Sequence, residues 1–188
     1  LKYDKHSKEI QAYNSLNSGL LTNEVKELFV DHQGNKWVGT DRGIFKFDGK
    51  EWRNYLDSGS DIPRGEVHTI YVDPQDTVWL GDFSRLVKHP PGTKLWLSKR
   101  VPDIVSINFI EVDNDGVWWL AGVGGIVRYD GETYHNITTD KQVLESNVIK
   151  SLQIDSQGRL IGNTPYEVFR YDDGEWEVWC RTRCSGSP

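Results

Sequence analysis

Val25 to Tyr55 reads VKELFVDHQGNKWVGTDRGIFKFDGKEWRNY, and the remainder of the chain writes this stretch out again. Asp31 recurs as Asp73, Asp113 and Asp155, at spacings of 42, 40 and 42 residues, and Trp37 recurs as Trp79 and Trp119. In the fourth copy Leu160 takes the Trp position, after a one-residue deletion. Self-similarity at a period of about 40 residues is the mark of a solenoid, propeller or array, so it governs the reading of every single motif.

Within the first copy, Val25, Leu28 and Val30 lie in a short β-rich run that ends in Asp31-His32-Gln33-Gly34-Asn35, a cluster of turn formers. Three more short runs follow: Lys36 to Thr40, Ile44 to Phe47, and Trp52 to Tyr55. They are separated by Asp41-Arg42-Gly43 and Asp48-Gly49-Lys50. No longer window carries a helical period. Four antiparallel strands in about 42 residues make one blade of a β-propeller, each sheet burying its faces against its neighbours. The expected fold class is therefore all-β, with four complete blades and part of a fifth, forming an arc of a larger ring.

The pattern Val-x-x-Leu-x-x-Asp-x-x-Gly-x-x-Trp-x-Gly-Thr-x-x-Gly-Ile-x-x-Phe-Asp-Gly, as it stands from Val25 to Gly49, resembles the two-component regulator propeller repeat of bacterial sensor proteins. Copy three keeps nearly every mark, including Asp113-Asn114-Asp115-Gly116, Trp119 and Gly125 to Gly131. Copy two departs at Arg85, in the Gly43 position, and at His89-Pro90-Pro91-Gly92; copy four departs at Leu160 and Glu167. The resemblance implies part of an extracytoplasmic, periplasmic or secreted, ligand-sensing propeller, often one responding to polysaccharide breakdown products.

A chain of 188 residues is about one domain. Twelve per cent aromatic residues, eight of them Trp, suit sheets packed on both faces. A net charge of −6 and the lack of a basic run argue against a nucleic-acid partner. Apolar stretches such as Ile104 to Ile110 are far shorter than the ~20 residues of a membrane span. The sequence holds no Met, which makes Leu1 an unexpected translation start and points to a processed chain or an interior piece. Cys180 and Cys184, beyond the last strand, are either free tail thiols or a small terminal disulfide loop.

Leu1 to Asp4 aligns with Phe45 to Asp48, so residues 1–23 read as the outer half of a preceding blade. Blades follow at 24–65, 66–105, 106–146 and 147–179, then a tail at 180–188. Only nine residues remain after Trp179 to supply the missing inner strands. A longer ring or a second chain is expected to complete the structure.

Residues that recur belong to the scaffold. The repeated aspartates are expected to bond the backbone of their own turns. Asp113-Asn114-Asp115-Gly116 opens like a calcium loop but meets Gly124 at the twelfth position, where an acidic residue is needed; no metal and no cofactor is expected. A basic series, Lys2, Lys46, Lys88, Arg128 and Arg170, is expected to pair with the repeated aspartates, since an unpaired buried charge is costly; the alternative is a basic ring that meets an anionic ligand. The five histidines share no register and read as scattered surface residues.

Positions that do not repeat are the better functional candidates, because loops vary while a scaffold stays fixed. The loops after the Trp strand offer Asp41 and Arg42, Asp82, Phe83 and Arg85, then Asn163 and Tyr166, all on one face of the disc. A non-enzymatic module that binds an oligosaccharide or other small ligand is the leading reading. The alternatives are a scaffold that docks a protein partner and a propeller lyase or hydrolase.

Overall fold

The computed structural model of the chain describes residues 2–3, 5–55, 65–138 and 143–180. Strands β1 (Lys2–Tyr3) and β2 (Ile10–Gln11) form a short hairpin. Blade 1 is β3 (Val25–Val30), β4 (Lys36–Thr40), β5 (Gly43–Phe47) and β6 (Trp52–Asn54). Blade 2 is β7 (Thr69–Val72), β8 (Val78–Gly81), β9 (Arg85–His89) and β10 (Leu97–Arg100). Blade 3 is β11 (Ser106–Val112), β12 (Trp118–Val123), β13 (Gly125–Tyr129) and β14 (Tyr134–Asn136). Blade 4 is β15 (Ser151–Ile154), β16 (Leu160–Asn163), β17 (Glu167–Asp172) and β18 (Glu175–Cys180). Each blade is an antiparallel meander in sequence order, with β3, β7, β11 and β15 innermost and touching one another from blade to blade. The architecture is that of propeller blades in an arc, and the ring is not closed.

The turn between first and second strands explains why the aspartate recurs. Asp31 Oδ1 accepts the backbone N–H groups of Gln33 (3.0 Å) and Asn35 (2.8 Å), and Asp73, Asp113 and Asp155 accept the same pair of donors in their own turns. In blades 1 to 3 the other carboxylate oxygen accepts the indole N–H of Trp37, Trp79 or Trp119, each at 2.9 Å. The carboxylate thus satisfies the turn and fixes the Trp that packs against the next blade.

The described members of the basic series make no ion pair within 4.0 Å with the repeated aspartates, which corrects the expected close pairing, although Lys46 still acts on Asp31 through space. Lys46 lies over the Trp37 ring at 4.9 Å and Lys88 over Trp79 at 5.6 Å, directly across the strand pair. Arg128 approaches Asp130 at 3.9 Å, and Arg170 pairs with Glu177 beside Trp179. For Lys46 and Lys88, with the aspartate already filled by N–H donors, the π face of the Trp offers a negative surface.

The fourth copy also needs a correction. Asp155 N–H donates to Arg159 C=O just as Asp31 N–H donates to Asn35 C=O, so the turn has lost no residue. The pairing of Ile161 with Arg170 matches that of Trp37 with Lys46. Ile161 is therefore the Trp equivalent, and Leu160 is buried on the opposite side, against blade 3. Ile161 is 38% exposed because it faces away from blade 3, where no further described sheet covers it.

Between blades lie three apolar cores. Trp37 and Ile44 meet Ile70, Val78 and Leu80; Leu86 meets Ile107, Ile110 and Leu120; Trp119 and Ile126 meet Ile149, Leu152 and Phe169. Trp96 is buried in the first of these, stacked on His89 with ring centroids 4.3 Å apart, and Trp118 packs on Trp79. Trp179 remains exposed. His89 is thus a core residue, not a surface one. Cys184 lies outside the described residues, as does the side chain of Cys180.

Candidate ligand-recognition rim

In an antiparallel meander the start of the first strand and the loop after the second come to the same edge. Here Val25 pairs with Thr40, Thr69 with Gly81, Ser106 with Val123 and Ser151 with Asn163. The loops carrying the candidate residues therefore share one face of the disc with the beginnings of the innermost strands.

Five residues before each repeated aspartate stands a polar side chain: Lys26, His68, Asn108 and Lys150. Lys26 and Asn108 sit where the register shifts, between Val25 and Glu27 and between Ile107 and Phe109. A bulge leaves its extra residue out of the ladder and re-aims its side chain. In blade 3 the bulge fits because it lies beside a glycine: a Cβ on Gly122 would stand 2.0 Å from Ser106 C=O.

These positions build a hydrogen-bonded chain across three blades. Lys26 Nζ lies 2.9 Å from Glu66 Oε1, and Glu66 Oε2 lies 3.4 Å from His68 Nε2. His68 Nδ1 is 2.7 Å from Ser106 Oγ, which in turn donates to Asn108 Oδ1 at 2.6 Å. The Lys26 ammonium holds the Glu66 carboxyl below the usual carboxylate range, and Glu66 raises Lys26 in return. With the one hydroxyl proton given to Asn108, Ser106 Oγ accepts from the imidazole. A nucleophilic serine needs the reverse, its proton directed into the base. The arrangement suits recognition by fixed donors and acceptors.

Of the residues expected from sequence, two lie beside this chain without hydrogen-bonding into it. Phe83, 58% exposed, meets the His68 ring edge to face at 5.5 Å. Asp41 lies close enough to Lys26 to add to its raised pKa, and its Oδ1 is buried with no hydrogen-bond partner among the described residues. The others are placed elsewhere. Asp82, 1% exposed, is filled by Arg85 through Nε at 3.0 Å and Nη2 at 2.5 Å, a pair that braces its own loop. Arg42 Nη1 reaches Leu21 C=O at 3.5 Å. Asn163 accepts from Ser151 Oγ at 2.5 Å on the blade 4 rim, and Tyr166 stands exposed on the next loop. Lys26, Glu66, His68, Ser106 and Asn108 were not anticipated. Their signal was a fixed register, five or seven residues before the aspartate, at which the residue type changes from copy to copy.

No family model and no curated relative matches the chain. Solved structures do. The extracellular domain of the hybrid two-component system BT4673 from B. thetaiotaomicron superposes with a TM-score of 0.76 at 18% identity, over 91% of this chain and 24% of that one. The corresponding domain of BT3049 from the same organism gives 0.70 at 21% identity, over 94% and 25%. Streptogramin B lyase gives 0.74 at 14% identity, over 95% and 61%. The chain thus spans about a quarter of the two sensor domains, and the likeness establishes the propeller fold. No helix among the described residues is long and apolar enough to cross a membrane.

Proposed function

We propose that the chain is a non-enzymatic, sensory ligand-binding propeller module, part of an extracytoplasmic receptor, and that the rim formed by Lys26, His68, Asn108 and Phe83 receives the ligand. The observation that carries this reading is the polar chain from Lys26 to Asn108. It joins three blades through residues that the repeat does not require, and two of them are presented by bulges. A site spanning blades converts ligand contacts into a preference for one relative arrangement of the sheets, which is what a sensor needs. Fixed amide, imidazole and ammonium groups beside an exposed aromatic ring match the hydroxyl groups and apolar faces of a carbohydrate. The likeness to sensor extracellular domains agrees with this class and with an extracytoplasmic location.

The test is a thermal-shift and calorimetric panel of oligosaccharides against the chain and its Phe83→Ala and Asn108→Ala variants. Binding by the parent chain, weakened tenfold or more by either substitution, supports the rim. Binding that survives both places the ligand elsewhere.

The second reading, a scaffold for a protein partner, draws on the apolar residues at the two ends of the arc. Leu28 and Val30 are exposed on blade 1, and Ile161 and Trp179 on blade 4. Concentration-dependent association in sedimentation, lost in Leu28→Lys and Trp179→Lys, favours that reading, whereas a monomer of unchanged mass counts against it.

A further inference from the structure

Between blades 1 and 2, at the edge of the disc opposite the rim, lies a cleft of about 940 Å³. The cleft at the next blade boundary, lined by Trp79, Lys88, Leu97 and Tyr134 among others, holds only about 130 Å³. The repeat does not produce this difference. Residues 48–51 connect paired Phe47 and Trp52 in blade 1, and residues 130–133 connect Tyr129 and Tyr134 in blade 3, but residues 89–96 connect Lys88 and Leu97 in blade 2. The longer connection forms a wall of the cleft, and it is built firmly. Trp96 is buried beneath it against His89, His89 Nδ1 lies 2.8 Å from Leu95 C=O, and Thr93 Oγ donates to Pro90 C=O at 2.9 Å.

The charge in this cleft runs against that of the whole chain, whose net charge is −6. Lys46, Arg53 and Lys94 line it, and none of the three pairs with a carboxylate within 4.0 Å among the described residues. Of the two carboxylates present, Asp31 is filled by Asn35, Gln33 and Trp37, and Asp76 accepts Gln33 Nε2 across the blade boundary at 2.9 Å. Three cations thus face two acids that already have donors. The broad aromatic faces are not on offer, since Trp37 and Trp96 are buried, which disfavours a nucleobase or other flat ring. Asn54 and Gln33 add amide groups to the lining beside the cations. The volume exceeds what a single inorganic anion fills, and polar groups interleaved with cations match a chain of hydroxyl-bearing rings that carry acid groups.

We propose that this cleft is a second binding site, separate from the rim, and that it takes an acidic oligosaccharide. Trigalacturonate is the probe, with a neutral galactose trisaccharide and sodium sulfate as comparisons, measured by calorimetry on the whole chain. Trigalacturonate is expected to bind at least tenfold more tightly than the neutral trisaccharide. Its binding should fall at least tenfold in the Arg53→Gln/Lys94→Gln double variant, whose changes lie on the surface and leave the melting temperature unchanged. The Phe83→Ala variant should bind it as the parent does, so the cleft and the rim succeed or fail independently. The proposal is overturned if trigalacturonate does not bind, if the neutral sugar binds equally well, or if the double variant retains full affinity. Loss of binding in Phe83→Ala, or displacement by an equal concentration of sulfate, overturns it as well.

Discussion

Arg159 Nε donates to Asp155 Oδ2 at 2.8 Å, on the carboxylate oxygen that receives an indole N–H from Trp37, Trp79 and Trp119 in the other three turns. Arg159 stands at the register of Asn35, one residue before the strand, whereas the Trp register holds Ile161, which has no donor. The turn therefore demands a donor for its aspartate and accepts it from either position. The same demand explains why Lys46 and Lys88 rest on indole rings: the aspartate nearest each of them is already occupied.

Arg159 holds the Asp155 carboxyl below its usual value, with backbone donors from Arg159 and Gln157 acting the same way. A depressed carboxylate contributes stability that is present above its unfolded value, near 4, and lost as pH falls through its folded one. Arg159→Gln is expected to lower the melting temperature at pH 7 by a few degrees at most, since both side chains keep part of their surface in water and the pair is screened by salt. The gap from the parent should narrow as pH falls below the unfolded value and close once the folded carboxyl is protonated. Melting curves from pH 2 to pH 8 decide this; a gap that stays constant across the range contradicts it.

Trp37→Phe keeps most of the apolar surface facing blade 2 but removes the N–H that reaches buried Asp31 and the larger ring under Lys46. A hydrogen bond to a charged group is worth about 1.5–3 kcal/mol. Burial alone would push the Asp31 carboxyl up, yet Asn35 and Trp37 together hold it below the usual range, so the indole supports the ionised form. The substitution is expected to cost ~2 kcal/mol in urea unfolding. A loss under about 0.5 kcal/mol would show that the indole donor contributes little beyond packing.

Glu111 on β11 is pushed above the usual carboxylate range by burial. For a raised acid the folded state holds the proton more tightly than the unfolded one, so the favourable contribution exists below the unfolded value and disappears as pH rises through the folded value. At pH 7 the ionised side chain costs stability. Glu111→Gln should therefore raise the melting temperature at pH 7 and leave it unchanged near pH 4. A lower melting temperature at pH 7 would mean that the carboxylate has a stabilising role that outweighs its burial.

The blades were legible because repetition amplifies weak local signals: four copies of one Asp turn and three copies of one Trp register leave a single architecture. The fourth Trp position was misread because Leu160 and Ile161 are both apolar, and only strand pairing tells which of two neighbours points to which face. The rim was mostly hidden for a related reason. A bulge has no composition of its own, so Lys26 and Asn108 look like ordinary strand residues until pairing shows them left out of the ladder. Asp82 and Arg85 stood out for being irregular, yet they bond each other. An irregular residue can serve its own loop as readily as a ligand.

Gly122 tests whether the rim depends on that bulge. An added Cβ would meet Ser106 C=O at 2.0 Å and the Asn108 amide nitrogen at 3.0 Å, both main-chain atoms that no rotamer change can move aside. Gly122→Ala must therefore shift the start of β11, which carries the hydroxyl that accepts from His68 and the amide that receives the hydroxyl proton. Overpacking of this kind costs about 1–3 kcal/mol. The expected result is a protein that still folds but melts several degrees lower. In histidine proton–nitrogen spectra, the His68 ring signals should move, because their environment includes Ser106, while those of His89 on blade 2 stay in place. Unchanged His68 signals in a folded Gly122→Ala protein would show that the bulge does not position the rim.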